Sequence, residues 1–177
     1  RHPGVVVQLR ELPEEAAEDA LERGELDLAV LTGGSRGEAF RDEEVVLVTG
    51  RGTDPSTLPF VTFPPGSAIR AMLARHFPEA RIGMELGSIS TVKGSVRAGL
   101  GVALISRAAV ATDLELGRLE LVRDPRTPLP RPLRLVHRGL DRLSPAARAL
   151  RALLLVDAPL RPKRSKGLPQ GRPGRAR

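Results

Sequence analysis

Short strand-like runs alternate with single helical segments along most of this chain, and no other feature of the sequence restricts its fold as strongly. Strands are predicted at residues 5–9, 26–31, 45–49, 60–63, 82–86, 102–105, 119–122 and 133–136. Helices are predicted to begin at Pro13, at Ser67, at Ser88 or Ser90, and at Ser144. Strands that are separated by single helices predict a three-layer α/β fold with mostly parallel pairing.

Two proline-rich connectors divide this pattern into three stretches. They lie near residues 50–59 and 123–132. The middle stretch carries its own strands and helices, so the pattern is compatible with a lobe that is inserted into an outer one.

The excess positive charge of the chain lies at its end. The net charge of +7 equals the seven Lys and Arg residues of 158–177, a segment that contains no Asp or Glu. The rest of the chain is therefore neutral. The segment is rich in Pro and Gly, which predicts a disordered basic tail. Two interpretations of this tail remain, a salt-dependent affinity for DNA without sequence preference and a solvated extension.

Several classes of chemistry lack the residues they need. The chain has no cysteine and only 2% aromatic residues, and its longest apolar run, 152–156, is too short for a membrane-spanning helix. His2, His76 and His137 lie far apart without a metal-ligand spacing. Neither a nucleophile elbow nor a phosphate-binding loop occurs. We therefore expect a protein that is not an enzyme and that needs no metal or cofactor.

Three loops have the composition of a small-ligand site. Gly66 with Ser67, and 87–90 with Ser88, Ile89 and Ser90, each join a strand to a helix start, where backbone N–H groups are free. Thr32 opens a third loop with 33–35. Arg70 falls in the first turn of its helix, where it could hold an anion or be solvated. The alternatives for the loops are ordinary helix capping and a flexible surface loop, and together the three favour a small polar or anionic ligand.

Four segments of the chain resemble LysR-type transcriptional regulators. Residues 21–30 (LERGELDLAV) are similar to a signature of that family, and residues 86–93 with 96–106 (LGSISTVK and VRAGLGVALIS) are similar to its most recognisable stretch. Residues 143–150 (LSPAARAL) resemble its closing helix. The resemblance covers residues 3–156 with the segments in the family's order.

The resemblance implies an effector-sensing domain with a two-lobed, periplasmic-binding-protein-like α/β fold, in which two crossover strands join three-layer lobes. Lobe I would comprise residues 1–56 and 128–157, and lobe II residues 57–127. A small metabolite would bind in the cleft between them. The expected effector-binding residues are Thr32, Pro65, Gly66, Ser67, Arg70, Ser88, Ile89 and Ser90.

Partners also follow from the resemblance. Members of the family assemble as homodimers or homotetramers in the cytoplasm and bind DNA through an N-terminal helix-turn-helix, which this sequence does not contain. The first strand and helix of the sensing domain are likewise expected to precede Arg1, and a sheet lacking that strand is expected to self-associate. The alternative is a stand-alone solute-binding protein of a transport system.

Overall fold

The computed structural model describes residues 4–32 and 36–156. The predicted basic tail at 158–177 and residues 33–35 of the third loop lie outside this range. The helices are α1 (Glu14–Arg23), α2 (Ala68–His76), α3 (Ile89–Arg97), α4 (Arg107–Glu115) and α5 (Pro145–Val156). The strands are β1 (Ala29–Thr32), β2 (Glu38–Gly50), β3 (Phe60–Thr62), β4 (Ile82–Glu85), β5 (Ala103–Ser106), β6 (Leu119–Leu121) and β7 (Leu129–Val136).

Local signals in the sequence set the ends of the first three helices. Pro13 stands at the N-cap of α1, and Gly24 ends that helix with φ at 78°, a left-handed conformation that glycine adopts without steric cost. Ser67 caps α2 and Ser88 caps α3, and each hydroxyl oxygen accepts a backbone N–H three residues later at 3.2 Å. The predicted starts are therefore confirmed, with Ser88 rather than Ser90 as the cap of α3.

Strand pairing differs from the expectation. The larger sheet has the order β1-β7-β2-β5 with β6 also paired to β2, and every pairing in it is antiparallel. Parallel pairing occurs between β3 and β4 and at an isolated bridge from Phe60 to Val102. The prediction of mostly parallel pairing is wrong for the larger sheet because the two long strands β2 and β7 run in opposite directions and provide the partners for the rest.

One further predicted element is absent from the described structure, and one helix of the structure was not predicted. Residues 5–9 form no strand, since no neighbouring strand of the described chain pairs with them, and β-branched side chains alone do not supply backbone partners. Helix α4 was not predicted at all, because its first residue follows β5 directly and Ser106 makes no side-chain cap bond to it.

Helices cover both faces of the central strands. Along β2, Val46 and Val48 join one buried cluster with residues of α3 and α4, while Val45 and Leu47 join another with residues of α2. Successive side chains of a strand point to opposite faces, so this half of β2 is buried on both. The result is the expected three-layer arrangement around β2 and β5.

Within the described residues, none of the helices has the length and apolar character needed to cross a membrane.

Candidate functional site

A cavity of about 510 Å³ lies where the end of β1 and the start of α1 face the start of α2. Four of the expected effector-binding residues line it: Thr32, Pro65, Gly66 and Ser67. Glu14 and Arg131 line it as well. The volume is in the range of small-molecule sites in proteins.

The β1 end of the cavity is organised by strand register. Thr32, the last residue of β1, lies opposite Leu133 of β7. Arg131 stands two positions before Leu133 and therefore on the same face of β7, which brings it to the cavity beside Thr32. Thr32 also contacts α1: its hydroxyl donates a hydrogen bond of 3.0 Å to Oε2 of Glu14 in the first turn of that helix.

The α2 end of the cavity offers backbone donors. The first N–H groups of an α-helix have no partner inside the helix, and the N–H of Arg70 is satisfied by the Ser67 hydroxyl oxygen. Ala68, the first residue of α2, lines the cavity. Since Ser67 Oγ accepts one hydrogen bond, its own O–H can still donate to a ligand. This end of the cavity can therefore bind oxygen atoms, and a negative charge would be favoured there by the helix dipole.

The cation of the cavity, Arg131, is held by a carboxylate. Its Nε donates to Oε2 of Glu43 at 3.2 Å, and its Nη2 donates to the same oxygen. Ser106 at the end of β5 donates its hydroxyl to that oxygen too, at 3.2 Å. Glu43 and Arg131 are directly opposite each other in the β2–β7 ladder, so their side chains share one face.

Arg70 points toward another partner. Its Nη2 lies 3.4 Å from Oε1 of Glu85 at the end of β4, and among the described residues its buried Nε has no hydrogen-bond partner. It is not one of the residues that line the cavity. Its contribution to effector binding therefore stays a prediction.

Ser88, Ile89 and Ser90 lie at the same edge of the small sheet as the cavity but do not line it within the described structure. Strands β3 and β4 are parallel, so the loops after them leave from the same edge. The Ser88 hydroxyl caps α3, and all three residues are exposed. The role of this loop in effector binding therefore stays a prediction.

Three residues of the site were missed by the sequence analysis: Glu14, Glu43 and Arg131. Glu14 directly follows the predicted helix start at Pro13, and Arg131 lies inside the stretch interpreted as a proline-rich connector. The alternation of proline with larger residues over 128–133 was the one signal of a strand there. Nothing local linked Arg131 to Glu43, which lies 88 residues earlier.

The cavity is equipped for binding. Its walls combine hydroxyls, backbone N–H groups and one arginine, with the carboxylates of Glu11 and Glu14 at the α1 side. Among residues 4–32 and 36–156, no group of three or more His, Asp or Glu side chains could hold a metal ion.

The fold is similar to that of solved regulatory domains. The CcmR regulatory domain of Synechocystis PCC6803, solved in complex with 2-PG, superimposes with a TM-score of 0.73 at 19% identity, over 88% of this chain and 84% of that one. This likeness confirms the expected two-lobed, periplasmic-binding-protein-like α/β fold.

Relatives in sequence are longer proteins. CfxR, an HTH-type transcriptional regulator of Cupriavidus necator, is 31% identical over 87% of this chain and 55% of its own length. The RuBisCO operon transcriptional regulator of Acidithiobacillus ferrooxidans is 30% identical over 88% of this chain and 57% of its length. The phosphonates import ATP-binding protein PhnC of Anaeromyxobacter dehalogenans is 31% identical over 89% of this chain and 36% of its length. The chain thus spans little more than half of either regulator.

A match to a protein-family model shows which family the chain belongs to. The LysR substrate binding domain matches residues 1–158, a range that includes every residue the structure describes. This match confirms the resemblance seen in the four sequence segments, and it agrees with the expectation of a binding domain rather than an enzyme. The chain belongs to the family of LysR substrate-binding domains.

Proposed function

We propose that this chain is the effector-sensing domain of a LysR-type transcriptional regulator and that it binds a small polar or anionic metabolite in the cavity between β1 and α2. The observation that carries the proposal is the meeting of Thr32, Pro65, Gly66 and Ser67 around one cavity with Arg131. These residues come from three parts of the chain. Their side chains and backbone groups can satisfy several oxygen atoms of one ligand.

The proposed lobes are residues 1–56 with 128–157 and residues 57–127, joined by β2 and β7. The strand pairing supports two groups of elements, although it places the change from one group to the other within β2 rather than at residue 56. The first half of β2 pairs with β7, whereas Val45–Val48 pair with β5 and Val48–Gly50 with β6. Strand β2 thus leaves one group of elements and enters the other near Val45. A hinge in these strands would let the cavity close on a ligand.

The first ligand to test is 2-PG, which the regulatory domain of CcmR binds in its solved structure. An acidic ligand fits the hydrogen-bond donors at the α2 end of the cavity, which are the Ser67 hydroxyl and the first backbone N–H groups of the helix. The carboxylates at the α1 side fit a ligand that also carries a hydroxyl or another hydrogen-bond donor. Panels of small hydroxy acids and neutral sugars test the two ends separately.

The decisive experiment compares serines that cap different helices. Ser67→Ala should weaken effector binding about tenfold, since it removes a donor from the cavity, and should lower the free energy of unfolding by about 1 kcal/mol through the lost cap. Ser144 is the matched control. It accepts the N–H of Ala147 at 3.1 Å in α5 and does not line the cavity.

Ser144→Ala should therefore cost the same stability and leave binding unchanged, as measured by urea unfolding and isothermal titration calorimetry. Ser88→Ala tests the loop before α3. We expect this substitution to reduce the free energy of effector binding by more than it reduces the free energy of unfolding. Equal losses of binding in the Ser67 and Ser144 variants would contradict the proposed site.

The regulator proposal extends beyond this chain. We propose that the complete protein reads DNA through an N-terminal helix-turn-helix, assembles as a homodimer or homotetramer, and acts in the cytoplasm, where the DNA is. Effector binding would shift the oligomer between two arrangements on DNA. A stand-alone transport component is the competing function. The coding DNA upstream of Arg1 separates them, since an in-frame helix-turn-helix supports the regulator and an in-frame signal peptide contradicts it.

A further inference from the structure

The ion pair between Arg131 and Glu43 suggests how ligand binding could change the structure of the domain. Arg131 is the only arginine that lines the cavity in the described structure, and its side chain is 19% exposed. Its partner Glu43 is 15% exposed and is not one of the residues that line the cavity. The cation is therefore accessible from the cavity, whereas the carboxylate is not part of the cavity wall.

One carboxylate oxygen joins three strands at this point. Oε2 of Glu43 on β2 accepts two N–H groups of Arg131 on β7 and the hydroxyl of Ser106 at the end of β5. Ser106 occupies the N-cap position of α4 but makes no cap bond with its side chain. Its hydroxyl is thus committed to Glu43. The oxygen connects the two long crossing strands to a strand and a helix beyond the cavity.

The guanidinium has capacity for a second anion. Two of its three nitrogens engage Glu43, and Nη1 has no hydrogen-bond partner within residues 4–32 and 36–156. An acidic ligand that reaches Arg131 would meet the N-terminal end of α2 on its other side, because Ser67 and Ala68 line the same cavity. Charge-assisted hydrogen bonds to Arg are strongest when two of its nitrogens share one acid group. Nη1 and the second N–H of Nη2 form such an edge, so an acid group can bind there while Glu43 keeps the other edge. The ligand and Glu43 then share the charge of one cation.

We infer that Arg131 is the specificity-determining residue for an acidic effector and that Glu43 is its internal competitor. When the effector's acid group binds the free edge of Arg131, one cation serves two anions, and the ion pair that links β7 to β2 is weakened. Effector binding is thereby coupled to the crossing strands. This inference rests on the proposed effector site and adds to it the class of ligand and the residue that reads it.

The experiment titrates the complete chain with 2-PG and with inorganic phosphate by isothermal titration calorimetry. Arg131→Gln should weaken binding of both anions by at least about tenfold, and Arg131→Lys, which keeps the charge but loses the fork, should lose less. Glu43→Gln should tighten binding several-fold, because an amide competes less well than a carboxylate for the guanidinium.

A second Arg–Glu pair of the same kind provides the control. Arg151 of α5 binds Glu38 of β2 through two nitrogens and does not line the cavity. Arg151→Gln and Glu38→Gln should change anion affinity by less than about twofold. Circular dichroism and urea unfolding establish that each variant is folded at the temperature of the titration.

Three results would overturn the inference. The first is that Arg131→Gln binds the anions as tightly as the parent chain does. The second is that Glu43→Gln binds them more weakly, and the third is that neither the parent chain nor Glu43→Gln binds them at all. The proposed function is judged separately, by the ligand panel and by the comparison of Ser67→Ala with Ser144→Ala. Binding of a neutral ligand that depends on Ser67 would keep that function and remove the role of Arg131.

Discussion

Asp113 offers a sharp test of how the second half of the chain is held together. This residue, on α4, is 4% exposed, and it is the only buried charged residue in the part of the chain that the structure describes. Lys93 Nζ lies 2.7 Å from Oδ2, and Arg97 Nη1 lies 3.3 Å from Oδ1. Both cations belong to α3. The hydrogen bond from Lys93 lowers the pKa of Asp113, and burial opposes that effect.

The expected cost of Asp113→Asn lies between two limits. Exposed ion pairs contribute up to about 1 kcal/mol, and breaking a fully buried pair costs about 3–5 kcal/mol. Here the carboxylate is buried, whereas the side chains of Lys93 and Arg97 are 23% and 43% exposed and regain some hydration when unpaired. We therefore expect the free energy of unfolding to fall by about 2–3 kcal/mol.

Urea unfolding followed by circular dichroism measures this change, and the chain has no Trp or Tyr to report by fluorescence. A loss of that size should lower the urea midpoint by about 1 M or more. Asp124→Asn is the control, since Asp124 pairs with Arg126, whose side chain is 40% exposed, and should cost about 1 kcal/mol or less.

The effect of pH has a definite sign. Because the pKa of Asp113 is lowered on folding, its stabilisation is present above the unfolded pKa and is lost as the pH falls through the folded value. The difference in the free energy of unfolding between the parent chain and Asp113→Asn should therefore shrink as the pH falls. Two results would refute the reasoning. One is that Asp113→Asn and Asp124→Asn lower the free energy of unfolding equally at neutral pH, and the other is that the loss in Asp113→Asn does not depend on pH.

Three further predictions test packing, electrostatics and association. Gly101→Ala should lower the free energy of unfolding by about 2–3 kcal/mol, because the added Cβ would lie 2.5 Å from a backbone oxygen. In Gly94→Ala, within α3, the added Cβ meets nothing within 4 Å, so this substitution should raise the free energy of unfolding by up to about 1 kcal/mol. Urea midpoints that move in the same direction would contradict this contrast. The hydrogen bond from Arg151 lowers the pKa of Glu38, so Glu38→Gln should destabilise at neutral pH and match the parent once the pH falls below that lowered value, as followed by urea midpoints. The exposed apolar segment 5–9 has no strand partner in the described chain, so light scattering should show larger species as concentration rises; a monomer at every dilution would contradict this.

Helix starts were predictable because their signals are local. A serine oxygen caps a backbone N–H three residues away, so Ser67 and Ser88 could be recognised without knowing the rest of the fold. Helix α4 had no such signal, because the serine before it gives its hydroxyl to Glu43, 63 residues earlier. Only the folded chain brings those two residues together.

Strand β7 shows why the sheet was less predictable. Its prolines at 130 and 132 indicated a connector, yet both lie in the strand opposite β2. Residues two apart direct their backbone groups to the same side of a strand, and β1 pairs only with Leu133–Val136. Both prolines can therefore face the unpaired side, where no N–H is needed.

The sequence by itself determined the α/β class, the helix caps and four of the residues that line the cavity, since each depends on residue types a few positions apart. The tertiary structure decided the antiparallel pairing, the failure of residues 5–9 to form a strand, and the placement of Arg131 against Glu43. Those features depend on which distant strands meet and in which register. Pairing between segments 88 residues apart leaves no periodic trace in either segment, so only the folded chain reveals it.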